Sequence, residues 1–346
     1  MAADLDRFFR RLWLKRSPLA RLLTPLSFIA EHVVRRRLQQ ALDHPPAALE
    51  VPVIVVGNVV AGGAGKTPTV MALVEHLKGR GLMVGVVSRG HGRSGTHCTE
   101  VGARSLAADV GDEPLLIQRR SQVPVFVGAD RLDAVRTLLA AYPSTQVIVA
   151  DDGLQHWKLP RDLDLCLIDD RGLGNGWLLP AGPLREPWPL MRPRAATERA
   201  PCLVVHTGEH SAWVAKDEFH SPRQLERVAV DGHGQRVPLA VLSGQPLAAL
   251  AGIARPERFF AMLRTAGLTL DTTLALPDHY DFESWKSPFD KGLRVICTEK
   301  DAIKLWPHHP DILAVGLQAR LPLELLARID AVVDAKLSSP HGHQTA

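Results

Sequence analysis

Val53-Ile54-Val55-Val56-Gly57-Asn58-Val59-Val60-Ala61-Gly62-Gly63-Ala64-Gly65-Lys66-Thr67 is an apolar run that enters a glycine-rich loop and closes on Lys-Thr. Residues 69–78 then read as a helix. Strand, glycine loop and helix in that order let backbone N–H groups converge on phosphate oxygens, with the partial positive charge of the helix N-terminus behind them. The expected nucleotide contacts are the main chain of Val60, Ala61, Gly62, Gly63, Ala64 and Gly65, the Lys66 ammonium at the β/γ-phosphates and the Thr67 hydroxyl on Mg²⁺. The strict pattern G-x-x-x-x-G-K-[ST] asks for glycine at position 60; Val60 stands there, and Gly62 and Gly63 are expected to supply the turn.

Outward from this loop, the chain alternates strands and helices. Residues 83–88, 123–128, 147–150 and 163–168 are near-continuous apolar runs. Residues 114–120 and 130–142 read as helices, the second with its apolar face at Leu132, Val135, Leu138 and Leu139. Strands apolar on both faces indicate a parallel sheet covered by helices on both sides. The stretch 173–194 is rich in Pro and Gly and breaks the rhythm. A second unit follows, with elements at 202–206, 237–243, 256–266, 294–297 and 302–306. The expected fold is α/β, a P-loop NTPase-like parallel sheet with helices on both faces, plus a smaller α/β C-terminal domain. The expected division is 1–40 (a basic amphipathic segment), 41–200 (the phosphate-loop core), 201–335 (a smaller domain closing over the site) and 336–346 (a disordered tail).

A phosphate loop needs a carboxylate for its metal. Val147–Ala150 leads directly into Asp151-Asp152, and strand ends of a parallel sheet open on one edge, so Lys66, Thr67, Asp151 and Asp152 are expected to converge. Ser88-Arg89-Gly90-His91-Gly92 ends the second strand on the same edge, where Arg89 could hold a phosphate. Gly111-Asp112-Glu113-Pro114 reads equally as a helix cap and as a carboxylate base near the γ-phosphate. In the second unit, His279 follows an acid in a Pro-bounded loop. In Thr298-Glu299-Lys300-Asp301, Thr298 and Asp301 fit a capping box and Lys300 could reach an anionic substrate. Its spacing is not that of a guanine-selective motif, which favours ATP.

At 346 residues, with 46% hydrophobic and 23% charged, the chain is neither disordered nor fibrous. No run reaches the ~18 apolar residues of a membrane span. Four cysteines, far apart and without a C-x-x-C pair, argue against a disulfide framework and for a reducing cytoplasm. The net charge of +4 is local: residues 1–40 carry nine Lys/Arg against three Asp/Glu, so the remainder is slightly acidic. Phe8, Phe9, Leu12 and Trp13 interleave with those arginines, and Pro18 and Pro25 are expected to break the segment into short helices. Such a segment suits an anionic membrane surface; it reads also as a terminal helix packed on the domain with its arginines solvated. No nucleic-acid motif accompanies the charge.

Together these motifs resemble the tetraacyldisaccharide 4′-kinase family of lipid A biosynthesis. GNVVAGGAGKTP (57–68), SRGHG (88–92), GDEP (111–114), DDGLQH (151–156), GNGWLLPAGPLREP (174–187), AGIARPERFF (251–260), PDHY (277–280) and TEKDAIK (298–304) occur in the family's order. The resemblance implies a kinase on the cytoplasmic face of a bacterial inner membrane that moves the γ-phosphate of ATP to the 4′-hydroxyl of tetraacyldisaccharide 1-phosphate. It implies Mg²⁺ held by Thr67, Asp151, Asp152 and Glu113. It gives catalytic roles to Lys66, Asp112 and His279, with Asp112 taking the hydroxyl proton and His279 tuning it. Arg89, Gln155, His156, Arg185 and Lys300 are the implied substrate contacts. His91 stands where the family commonly has tyrosine. Partners beyond lipid, ATP and membrane are not expected: no nucleic acid and no obligate protein partner.

Overall fold

The structure is a computed structural model and describes residues 8–9, 11–189, 200–209, 218–290 and 292–339. Two sheets organise it. The first contains β1 (Val53–Asn58), β2 (Val84–Ser88), β3 (Thr99–Glu100), β4 (Val125–Val127), β5 (Val147–Asp151), β6 (Leu163–Ile168), β7 (Cys202–His206) and β8 (Glu218–His220). Their order is β3-β4-β2-β5-β1-β6-β7-β8, parallel except for the β3 edge. β1 is buried at every position. Ile54 and Val56 face a core shared with Val70, Leu73 and Leu77 of the Lys66–Gly79 helix. Val53 and Val55 face the opposite core, with Val135 and Leu138 of the Arg131–Ala141 helix. A strand apolar on both sides needs helices on both sides, which is the parallel α/β arrangement expected.

The second sheet holds β9 (Arg223–Val230), β10 (Arg236–Pro238), β11 (Pro246–Ala251), β12 (Thr269–Ala275), β13 (Arg294–Thr298) and β14 (Leu313–Ala319), in the order β10-β9-β14-β13-β11-β12. Its core gathers Phe259, Phe260 and Leu263 of the Pro256–Thr265 helix against β11, β13 and β14. The expected element at 237–243 is the end of β10 and a short helix, Leu239–Leu242.

The division near residue 200 is corrected. β7 pairs in parallel with β6, and β8 with β7, so 202–220 complete the first sheet. The Pro- and Gly-rich stretch before them is an excursion within one unit. The Leu323–Leu337 helix also returns to the first unit, burying Leu325, Ile329 and Val333 in the core that holds Leu73 and Leu77. Lys336 belongs to that helix, and the rest of the expected tail, from 340, lies outside the described residues.

At the N-terminus, Pro18 and Pro25 begin helices rather than end them. Pro18 opens Pro18–Leu22 behind the Ser17 cap, and Pro25 is the second residue of Thr24–Asp43. A first-turn proline sacrifices no helical hydrogen bond. These helices are tied to the irregular loop after β6. Trp13 Nε1 donates to Pro180 O at 2.9 Å, and Ser27 Oγ donates to Leu178 O at 2.7 Å while accepting from Ala181 N at 3.0 Å. The Arg16 guanidinium lies 5.2 Å from the Trp177 ring centroid.

Candidate active site

The glycine loop leaves β1 through Asn58, which is fully buried. Asn58 Nδ2 donates to Val60 O and, at 3.0 Å, to Gly62 O, bending the loop over itself. Its Oδ1 accepts from Lys66 Nζ at 3.2 Å. Val60 bridges Leu184, and Ala61 N donates to Pro183 O at 2.8 Å. Val60 and Ala61 therefore anchor the loop, and the cleft is lined by Gly62 through Thr67. Gly65 has φ +84° at the start of the Lys66–Gly79 helix, a conformation open chiefly to glycine. Of Gly62 and Gly63, both expected to supply the turn in place of position 60, Gly62 has φ +97° and Gly63 does not take a positive φ.

The carboxylates stand beside this loop. Asp151 ends β5, buried, and accepts from Ser88 Oγ at 3.0 Å. Its Oδ1 is buried with no hydrogen-bond partner among the described residues. Burial, then the charges of Glu113 and Asp152, pushes the Asp151 carboxyl up to about 7. Asp152 has φ +50° and turns back toward the loop. Burial alone would raise its carboxyl, but Lys66 (Nζ to Oδ1, 3.5 Å), Arg185 and Arg131 outweigh burial and hold it low. Arg185 Nη1 donates to both Asp152 oxygens, at 3.0 and 3.3 Å. Three acids that repel one another, one with an orphaned oxygen, suit a cation. Among the described residues no group of three or more His, Cys, Asp or Glu forms a ready cage. Mg²⁺ sites of kinases commonly use only one or two carboxylates, completed by water and phosphate oxygens.

The second unit reaches this rim with a basic edge. Asp112 opens the Asp112–Ser121 helix after Gly111, whose φ of +91° and contact with Gly90 Cα (3.1 Å from an added Cβ) leave room only for glycine. The Asp112 carboxylate serves both its own helix end and the cleft: Oδ1 accepts from Glu113 N at 3.0 Å, leaving Oδ2 for the second unit. His279 Nδ1 meets its Oδ2 at 3.0 Å, with Lys304 Nζ at 3.5 Å and Lys300 Nζ at 3.9 Å. Burial works against ionisation, yet the His279 hydrogen bond and the two lysines hold the Asp112 carboxyl far below its ordinary value. The same hydrogen bond raises His279. His279 itself has φ +60°, and its ring lies 5.4 Å from that of His91. Lys300 Nζ donates to Glu113 Oε1 at 3.0 Å and lies 3.6 Å from Asp278. Burial would lower Lys300; Glu113, Asp112 and Asp278 override it and raise it. Thr298 caps its helix by accepting from Asp301 N at 3.2 Å, while Asp301 accepts from Gly252 N at 3.0 Å, so that pair is structural.

Lys66, Thr67, Glu113, Asp152, Arg185, His279 and Lys300 line one cavity of about 410 Å³, with Asp112 and Asp151 buried in its wall. Three expected substrate contacts lie off it. Gln155 Nε2 donates to Glu186 Oε1 at 2.7 Å and Asn58 O at 3.2 Å, bracing the loop from behind. His156 accepts from Arg131 N at 3.4 Å, and burial with Arg131 nearby pushes it down to about 4. Arg89 is exposed at the end of β2. Residues not singled out in the sequence also line the cavity, notably Arg223, Arg255 and Arg258. The last two lie inside AGIARPERFF, whose paired arginines at a helix start were the available signal.

A phosphate loop at the carboxyl rim of a parallel sheet, with a lysine, an acid pair beside it and an Asp–His pair across the cleft, defines a P-loop kinase. The chain matches the Tetraacyldisaccharide-1-P 4′-kinase family model over residues 19–334. It is 53% identical over 341 residues to the Tetraacyldisaccharide 4′-kinase of Acidovorax sp. (strain JS42), covering 98% of each chain. It is 51% identical to that of Polaromonas sp. (strain JS666 / ATCC BAA-500), covering 97% of this chain and 100% of that one. A crystal structure of LpxK from Aquifex aeolicus in complex with ATP superposes with a TM-score of 0.77 at 28% identity, covering 92% of this chain and 99% of that one. The chain belongs to the tetraacyldisaccharide-1-P 4′-kinase family.

Proposed function

We propose that this kinase transfers the γ-phosphate of ATP to the 4′-hydroxyl of tetraacyldisaccharide 1-phosphate, the reaction for which its relatives are named. The observation that carries the reading is the meeting of Asp112 and His279 across the cleft from Lys66, which puts a proton acceptor and a phosphate site in one cavity. Phosphoryl transfer is charge-dominated, so positioning supplies most of the rate. The amides of Gly62–Thr67 cradle the phosphates, and Lys66 meets the charge that develops on them. Thr67 and Asp151, flanked by Asp152 and Glu113, would hold Mg²⁺, which supplies further neutralisation when bound. Arg185 fixes Asp152 and Lys300 fixes Glu113 against the mutual repulsion of the acids.

The acceptor proton goes to the Asp112–His279 pair. Asp112 is too weak a base to keep a proton, so the imidazole retains it while the carboxylate holds the ring through Nδ1. Nε2 then faces the cleft beside Lys300 Nζ, 3.3 Å away. Once His279 is protonated the pair can take no second proton. Activity is therefore expected to fall as pH drops through the His279 pKa, which lies above the ordinary ~6.5. A pH–rate profile checks this; Asp112→Asn removes the raising contact and should move the acid limb to lower pH.

Residues 1–40 are read as the membrane contact on the cytoplasmic face. No helix among the described residues is long and apolar enough to cross a membrane. Leu22, Phe28 and Ile29 are 75%, 69% and 63% exposed on helices that also carry Arg21, Arg35, Arg36 and Arg37. Exposed large apolar groups beside arginines favour insertion at an anionic interface. Changing these three residues to serine should remove roughly 1–2 kcal/mol each of insertion. Co-sedimentation with phosphatidylglycerol vesicles is expected to drop sharply.

The reaction itself is tested with γ-³²P-labelled ATP and tetraacyldisaccharide 1-phosphate in mixed micelles, resolved by thin-layer chromatography. Label in the lipid is the expected result; label only in inorganic phosphate, at a rate the lipid does not change, would refute the assignment.

A further inference from the structure

Three arginines of the second unit crowd the cleft, and the mechanism above uses none of them. Arg223 is the first residue of β9; Arg255 precedes and Arg258 lies within the Pro256–Thr265 helix. Arg223 lies directly against the nucleotide loop, since a Cβ at Gly65 would meet its Cδ at 2.8 Å. Its Nε donates to Thr207 O at 3.3 Å, and Thr207 Oγ1 donates to Ala64 O at 2.7 Å. Its Nη2 is buried with no hydrogen-bond partner among the described residues. A buried donor left unpaired costs on the order of 1–3 kcal/mol, so it calls for a functional explanation.

The local charge points the same way. Arg258 Nη1 donates to Asp170 Oδ2 at 2.7 Å. Arg255 Nη2 lies 3.4 Å from Asp169 Oδ2, and Asp169 also accepts from Arg171 Nε at 2.9 Å. Arg258, Arg255 and Arg171 thus bear on Asp170 and Asp169 beside a phosphate loop. Burial, then Arg258, pushes Arg223 down to about 10. Set among these guanidinium groups, the buried Nη2 of Arg223 lacks an acceptor among the described residues.

Sheet order says which part of a nucleotide supplies it. The acids of the transfer site follow β5, on one side of β1; Asp169, Asp170 and Thr207 follow β6 and β7, on the other. The transferred phosphate belongs beside Asp151, Asp152 and His279, so the opposite flank faces the part of the nucleotide that remains after transfer. The geometry points to Arg223 and Arg258 as ligands of the α- and β-phosphates, gripping ATP and ADP alike from the second unit. This rests on the kinase reading of the same cleft. The second unit thereby holds the nucleotide with one edge and receives the acceptor proton with the other.

Calorimetric titration of ATP and ADP into the wild type, Arg223→Met, Arg258→Met and Lys66→Ala, with steady-state kinetics alongside, tests it. Each arginine variant should weaken ATP and ADP by the same factor, on the order of tenfold, as expected for losing a charge-assisted hydrogen bond. KM for ATP should rise in step, with kcat falling much less. Arg258→Lys should recover part of the loss, because an ammonium keeps the charge but not the fork. Arg258 lies at the cleft surface with its side chain 20% exposed, so its variants report even if Arg223→Met fails to fold. Unchanged ATP and ADP affinity in Arg258→Met, or a loss confined to kcat with ADP affinity intact, would overturn the proposal. If the wild type binds ATP and Lys66→Ala weakens it while the arginine variants do not, only this inference falls. A folded wild type that binds no ATP would bring down the kinase reading with it.

Discussion

Lys66→Ala is expected to remove useful turnover, lowering kcat by roughly 10³-fold, the scale on which preorganised charge at a transition state acts. Lys66 touches both the turn and the acid pair: its ammonium lies 3.2 Å from Asn58 Oδ1 and 3.5 Å from Asp152 Oδ1. Its loss leaves Asp152 with Arg185 and Arg131 as its remaining cations and takes a positive charge from the phosphate cradle. The fold should survive, since β1 and its two cores do not involve Lys66. Thermal unfolding near the wild-type temperature with turnover lost is the expected pair of results; retained turnover would show that the loop is not the phosphate site.

The second large effect is at Asp112. Asp112→Asn should cost about 10²–10⁴-fold in kcat, the range for removing positioned proton transfer, while ATP binding is largely kept. Asparagine preserves shape but not charge, so His279 loses its orienting partner and Lys300 and Lys304 lose a shared counter-ion. The same group also contributes to stability. Because the Asp112 carboxyl is held below its ordinary value, its contribution is fully present above the unfolded-state pKa and is lost only as pH falls well below it. At neutral pH the asparagine variant should therefore be measurably less stable. Near wild-type kcat in this variant would remove Asp112 from the chemistry. A fall in kcat with an unshifted acid limb would reduce it to a structural contact.

Much of this was legible in the residues, for a physical reason. The strands around β1 are buried on both faces, so their sequences are unbroken apolar runs, and parallel strand ends place their following residues on one edge. Lys66, Asp151 and Asp152 could be brought together by that rule. Gly111-Asp112-Glu113-Pro114 could not be resolved between cap and base, because the choice depends on His279, 167 residues away in sequence. In the folded chain the carboxylate does both: Oδ1 accepts from Glu113 N at its own helix start and Oδ2 meets His279.

What the residues did not disclose follows the same logic. The Pro- and Gly-rich excursion before 202–206 makes that run look like the start of a second unit, yet parallel pairing needs no sequence continuity, and β6 accepts it as a neighbour. Gln155 and His156 sit in a motif with Asp151 and Asp152, but the turn after β5 sends them behind the loop, to Asn58, Glu186 and Arg131. Arg223 carried no signal, as a single arginine opening a half-exposed strand looks like solvated charge until the fold sets it against Gly65.

The account stands on one arrangement: the nucleotide loop of the first unit and the Asp112–His279 pair serve the same phosphate. A crystal structure with a non-hydrolysable ATP analogue and Mg²⁺ tests it most directly. The terminal phosphate is predicted to lie on Lys66, beside Asp151, with the open side facing His279. A triphosphate seated away from Lys66, or one whose terminal phosphate points away from His279, would contradict it.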